Sequence, residues 1–287
     1  MKKNILVLTD FSQNAKSAEE YALQLAIKAE ANLILYNAYP FRSTIPVIDN
    51  LSWPHDPPVS SELQSINNLQ SSVYELETKL SKIKDGNDKP EIHHMGNAGV
   101  LTHKLNDFIT QKNIWLVVMG TRGESLTANL LFGSNVFSIL KSIDRPVLII
   151  PENSHFKDLE KIAYATDLKS PDANIIKWLD DISLMLKLKL FVMHASPDAV
   201  STKATANQSI SEQVALAKLN SHISINFSEG QSIEEVLHQI TDEFGVGLLA
   251  LVHRKYGFFE NLFHVSTARK MVKHTKIPIL IFPGEKL

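Results

Sequence analysis

Residues 114–123 read Ile114-Trp115-Leu116-Val117-Val118-Met119-Gly120-Thr121-Arg122-Gly123; nine residues later comes Gly133-Ser134-Asn135, and then Arg145-Pro146-Val147-Leu148-Ile149-Ile150-Pro151. Two almost unbroken apolar runs thus flank a glycine-bearing loop and a helical stretch, Ser134–Ser142. A strand that is apolar at nearly every position must be covered on both faces, which is the condition of a parallel sheet with crossover helices. The stretch reads as strand, loop, helix, strand, and it sets the class as α/β.

Working outward, the same alternation runs along the first half. Strands are expected at Asn4–Leu8, Asn32–Tyr36, Glu91–Met95, Ile114–Met119 and Pro146–Ile150, with helices at Asn14–Glu30, Ser61–Ile83, Gly99–Gln111 and Ser134–Ser142. The second half repeats the order. Strands are expected at Lys161–Ala165, Lys189–His194, His222–Asn226, Val246–Val252 and Ile277–Phe282. Between them fall helices at Pro171–Leu186, Ala204–Asn220, Ser232–Phe244 and Ser266–His274. Ala163-Tyr164-Ala165-Thr166-Asp167 matches Leu6-Val7-Leu8-Thr9-Asp10 at an offset of 157, and Ile277–Phe282 matches Arg145–Ile150 at an offset of 132. Copy two is therefore 25 residues shorter between its first and last strands. An internal duplication explains this, with units at 1–152 and 158–287.

Much of the difference falls on Tyr39–Ser60, where Pro40, Pro46, Pro54, Pro57 and Pro58 exclude both helix and central strand. It leaves the carboxyl end of the second strand, the ligand-binding edge of such sheets. A lid and a plain surface loop are both open readings.

The formal net charge of −2, from 29 basic and 31 acidic residues, offers no field for sequence-independent nucleic-acid binding. With no cysteine, disulfides, thiolate catalysis and cysteine zinc sites are excluded. The chain starts Met1-Lys2-Lys3-Asn4 and enters a strand at once, without the features of a signal peptide. The apolar runs are too short to span a bilayer, and a cytoplasmic location is expected.

The chemistry concentrates in the loop already quoted. Gly120 and Gly123 lack a Cβ, so main chain there can approach a phosphate and adopt positive φ. Gly133 and Ser134 stand where a helix begins, with free N–H groups and a partial positive charge, a natural anion site. Arg122 adds one cation. Spacing alone also fits a tight turn followed by a helix cap.

The G-x-x-G, nine-residue, G-S pattern, followed by a helix and Arg145–Pro151, resembles the ATP-binding branch of the universal stress protein family. The opening Ile5-Leu6-Val7-Leu8-Thr9-Asp10-Phe11-Ser12 does so too. The likeness covers the whole chain, once per half, as in tandem members. It implies two tandem open-sheet domains. Each would be a five-stranded parallel sheet of order 3-2-1-4-5 with helices on both faces, and their last strands would pair antiparallel. It implies ATP, with or without Mg²⁺, at the carboxyl edge of the first. Asp10 would hold the ribose hydroxyls, Ala38 would meet adenine through its backbone, and Met119 would pack on the base. Gly120, Arg122, Gly123, Gly133, Ser134 and Asn135 would surround ribose and phosphates. Asn37-Ala38 stands where members commonly have His-Val, leaving less apolar surface for the base.

Copy two departs further: Val252-His253-Arg254-Lys255-Tyr256 occupies the loop start and Val265 replaces Gly133, leaving Ser266 and Asp167. It should not bind ATP by this route, and a solvated basic loop is the plainer reading of His253, Arg254, Lys255 and His264. His93 and His94 are neighbours in a strand and point to opposite faces, so they cannot share a metal. No HExxH, EF-hand or Walker A pattern appears. Without a P-loop lysine, the expectation is a stress-response regulatory protein that binds an adenine nucleotide and hydrolyses it slowly at most. The alternative is a tandem scaffold that binds no nucleotide and acts through protein contacts. A homodimer of whole chains is left open.

Overall fold

The computed structural model describes residues 2–40, 61–83, 89–102, 105–121, 134–152, 154–166, 172–196, 208–209, 211–212, 214–215, 224–229, 242, 244–253 and 277–283. The first half runs β1 (Asn4–Leu8), α1 (Gln13–Lys28), β2 (Asn32–Tyr39), α2 (Ser61–Ser81), β3 (Ile92–Ala98), α3 (Leu105–Gln111), β4 (Ile114–Gly120), α4 (Ser134–Ser142) and β5 (Val147–Ile150). The described elements of the second are β6 (Lys161–Thr166), α5 (Ala173–Leu186), β7 (Lys189–Ser196), β8 (Ser224–Glu229), β9 (Leu248–His253) and β10 (Ile279–Pro283).

The ten described strands join one sheet of order β3-β2-β1-β4-β5-β10-β9-β6-β7-β8. Within each half the pairings are parallel, and β5 meets β10 antiparallel. The register there pairs Leu148 with Leu280, flanked by Ile149 with Ile279 and Val147 with Ile281. Leu280 is the 132-offset counterpart of Leu148, so equivalent residues face each other about a pseudo-two-fold axis. The two last strands thereby cover what would otherwise be two apolar sheet edges.

Alternate residues of each strand feed two apolar layers. Ile5, Val7, Leu33 and Leu35 face α1 and α2, while Leu6, Leu8, Ile34 and Tyr36 face the opposite side with Leu105, Ile109, Val136 and Ile139. Both layers run through the junction, because Tyr164, Leu179 and Phe282 share the first and Ala163, Leu251 and Ile281 share the second.

Local chemistry accounts for the element ends. Ser12 caps α1, its Oγ accepting the Ala15 N–H at 3.3 Å. α1 closes with Glu30 in the left-handed region (φ 50°), and the Ala31 N–H donates to Ala26 O at 3.0 Å. α5 closes the same way, with Lys187 at φ 57° and the Leu188 N–H on Ser183 O at 2.8 Å. Lys187 is Glu30 displaced by 157, so that offset holds to the second strand of each half. At the third strand Ile34 pairs with His93 and Phe191 pairs with Ser224, an offset of 131. The shortening of the second half therefore lies between its second and third strands.

Several boundaries differ from the sequence reading. The helix expected from Gly99 begins at Leu105, because Gly99 sits at φ 110° and gives its N–H to Tyr39 O at 2.8 Å. β2 and β3 run on to Tyr39 and Ala98, since each additional pair closes another ladder bond. The proline-rich segment beyond Pro40, and the helices expected at Ser232–Phe244 and Ser266–His274, fall outside the described residues, apart from Asp242 and Phe244 in the first of these helices.

Candidate functional site

Leu8 pairs with Tyr36 on one side and with Met119 on the other. One or two residues further on, Asp10, Ala38 and Gly120 leave three adjacent strands at one carboxyl edge. Asp10 is exposed, and its Oδ1 accepts the Ser12 N–H at 3.1 Å. It therefore shapes the turn into α1 and sits at the mouth of the edge. Phe11 between them holds φ 65°, a left-handed conformation that a bulky side chain takes only when its surroundings enforce it.

Gly120 is buried where β4 passes the start of α1. A Cβ on it would lie 2.7 Å from Asn14 O and 2.8 Å from Asn14 C. The contact is with backbone and cannot yield, so packing of β4 on α1 requires glycine here independently of any ligand. Asn14 itself carries a buried Oδ1 that makes no hydrogen bond. Met119 is buried and Ala38 partly buried, and both belong to the layer of Leu8 and Tyr36. The Tyr36 Oη accepts from Asn97 Nδ2 at 3.0 Å, and burial pushes this phenol upward, so it stays neutral.

Asn37 points to the other face. Its Nδ2 donates to Thr9 O at 2.8 Å, and its Oδ1 accepts from Ser65 Oγ at 2.7 Å. It therefore subtracts nothing from an apolar surface beside Ala38; it ties β1, β2 and α2 together. Thr9 and Glu19 complete this buried polar group, with Thr9 Oγ1 donating to Glu19 Oε1 at 2.6 Å. Burial drives the Glu19 carboxyl up from its ordinary value, against hydrogen bonds from Thr9 and Ser72 that pull it down. Sequence reading passed over Thr9 and Glu19 as functional residues. A signal was there: Glu19 falls among Ala15, Ala18, Ala22 and Ala26 on the buried face of α1, where a carboxylate demands a partner.

Arg122, Gly123 and Gly133 lie outside the described residues, as do the side chains of Ser134 and Asn135, whose backbone opens α4. The structure thus brings Asp10, Ala38, Met119 and Gly120 together at one edge. In the second half, Asp167 and residues 254–276 are likewise outside the description. Among the described residues no group of three histidine or acidic side chains could hold a metal, and no helix is long and apolar enough to cross a membrane.

Comparison with known proteins gives the family. Residues 1–151 match the model of the universal stress protein family. A universal stress protein of Synechocystis is 25% identical over 291 aligned residues, covering 98% of this chain and 99% of the relative. One from Methanocaldococcus jannaschii is 26% identical over 165 residues, 52% of this chain and 95% of the relative. The crystal structure of a universal stress protein from Archaeoglobus fulgidus superposes with a TM-score of 0.65 at 18% identity, covering 97% of this chain and 95% of that one. The match to the family model spans more than half of the sequence, and this chain belongs to the universal stress protein family.

Proposed function

We propose that the first half binds an adenine nucleotide, ATP with or without Mg²⁺, over the carboxyl edge of β2, β1 and β4. In this reading Asp10 receives the ribose hydroxyls, the Ala38 backbone meets the adenine edge, and Met119 packs on the base. Gly120, Arg122, Gly123, Gly133, Ser134 and Asn135 surround ribose and phosphates. The observation that carries it is the register Tyr36–Leu8–Met119, which sets Asp10, Ala38 and Gly120 side by side. The loop between β4 and α4, with its G-x-x-G and G-S ends, departs from that same edge. Amides at the start of a helix and after glycine suit phosphate oxygens. Bound Mg²⁺ would be held chiefly by those phosphates, as is usual for this ion.

The chain's own groups favour binding over turnover. Arg122 is the one cation within the loop motif, and no lysine stands in a P-loop position to neutralise charge on a transferring phosphoryl group. Slow hydrolysis at most is consistent with that set. The protein then works as a nucleotide-responsive stress module in the cytoplasm, with the second half, whose loop lacks the glycines, as its structural partner.

Calorimetric titration of ATP into the whole chain and into Gly123→Val tests this. Binding in the micromolar range by the native chain, lost in the variant, is expected. Equal heats in both, or none in either, would leave only the tandem scaffold acting through protein contacts.

A further inference from the structure

Thr9 uses every hydrogen-bonding group it has. Its N–H donates to Tyr36 O at 2.9 Å, and its carbonyl accepts from Asn37 Nδ2 at 2.8 Å. Its hydroxyl donates to Glu19 Oε1 at 2.6 Å and accepts the Phe11 N–H at 3.1 Å. A hydroxyl has one proton and rotates freely until that proton is taken. By taking it, Glu19 leaves a lone pair of Oγ1 facing the Phe11 amide. Phe11 is the residue at φ 65°, directly after Asp10. Glu19 is anchored in turn by Ser72 of α2, and Asn37 by Ser65 of the same helix.

We propose that Glu19 is a positioning residue for the nucleotide site: through the Thr9 hydroxyl it locks the left-handed turn that presents Asp10 at the sheet edge. This rests on the nucleotide reading of that edge. A carboxyl group only 3% exposed beneath an alanine-rich helix face is a poor choice for packing alone, since an aliphatic side chain would fill the place without desolvating a charge. What leucine cannot do is accept the Thr9 proton.

The second half carries a counterpart. Thr166, which is Thr9 displaced by 157, donates its Oγ1 proton to Asp172 Oδ2 at 2.6 Å, and both residues are buried. There the carboxylate comes from six residues along the chain instead of ten. The same bond at the same strand exit is thus built from a different position, in the half expected to bind no ATP, and it serves as an internal control.

The test uses the whole chain and two readouts: ATP affinity by calorimetry, and amide hydrogen exchange at Phe11 and Ser12 without nucleotide. Thr9→Val, which keeps the shape and removes the hydroxyl, is expected to speed Phe11 exchange. It should also weaken ATP binding about tenfold, the size of one lost buried hydrogen bond. Glu19→Leu should reproduce both effects, and the double variant should be no worse than either, since they break one relay. Thr9→Ser and Glu19→Gln, which keep the donor and the acceptor, should stay within about threefold of the native affinity. Asp172→Asn should leave ATP affinity unchanged. If the native chain binds ATP and Thr9→Val binds it equally well, the positioning role is overturned while the nucleotide reading stands. If the native chain binds none, both fall, and exchange at Phe11 still reports whether the relay holds the turn.

Discussion

A glutamate buried on an alanine-rich helix face responds to pH in a direction that burial fixes. Desolvation raises the folded-state pKa of Glu19 above the unfolded value, which is about 4.3 for an ordinary glutamate. Below that value the protonated carboxyl is favourable in the folded chain. As pH rises through the folded pKa, the fold has to ionise a buried group and this contribution is lost. Glutamine mimics the protonated form and carries no such term. The stability of the native chain relative to Glu19→Gln should therefore fall as pH rises above the unfolded value and level off once pH passes the folded pKa. Urea unfolding of both proteins across that range measures it, and a difference that stays flat or grows with pH would contradict the assignment. Gly120 illustrates a second lesson at this scale. Its lack of a side chain is demanded by the Asn14 carbonyl before any phosphate is considered.

Between elements, the most telling contact crosses the two halves. Trp115 on β4 and Trp178 on α5 lie 5.3 Å apart, centroid to centroid, and Trp178 meets Phe282 of β10 edge-on at 5.2 Å. Lys3 adds its ammonium over the Trp115 ring at 5.2 Å. Aromatic pairs of this geometry add to plain area burial. Trp178→Ala should cost about 3 kcal/mol, toward the low end for a large aromatic because the ring is only partly buried. It should shift one cooperative transition, read by circular dichroism during urea unfolding. Two separated transitions in the native chain would show that the halves unfold independently.

For the whole molecule, the pseudo-two-fold pairing of β5 and β10 makes ten strands one sheet and carries both apolar layers through the junction. Severing the chain at residue 153, between the strands of the two halves, should therefore expose apolar surface on each fragment. Fragments 1–153 and 154–287, expressed separately, are expected to aggregate or self-associate and to recombine when mixed. Two monomeric, well-dispersed fragments in sedimentation would show that the junction is dispensable.

The sequence by itself determined the α/β class and the order of the described strands, because buried parallel strands must be apolar throughout. It also pointed to Asp10 and Gly120, because small and acidic residues at strand exits are visible as local interruptions of apolar runs. Tertiary structure alone decided that Asn37 faces α2 and not the layer of Ala38 and Met119, and that Thr9, Glu19, Ser65 and Ser72 form one buried polar group. It also set the start of α3 at Leu105, through the bond that Gly99 gives to Tyr39. These are pairings between residues far apart in the chain. A periodicity tells which face a residue occupies within its own element, but which partner waits on that face is set by how the elements pack.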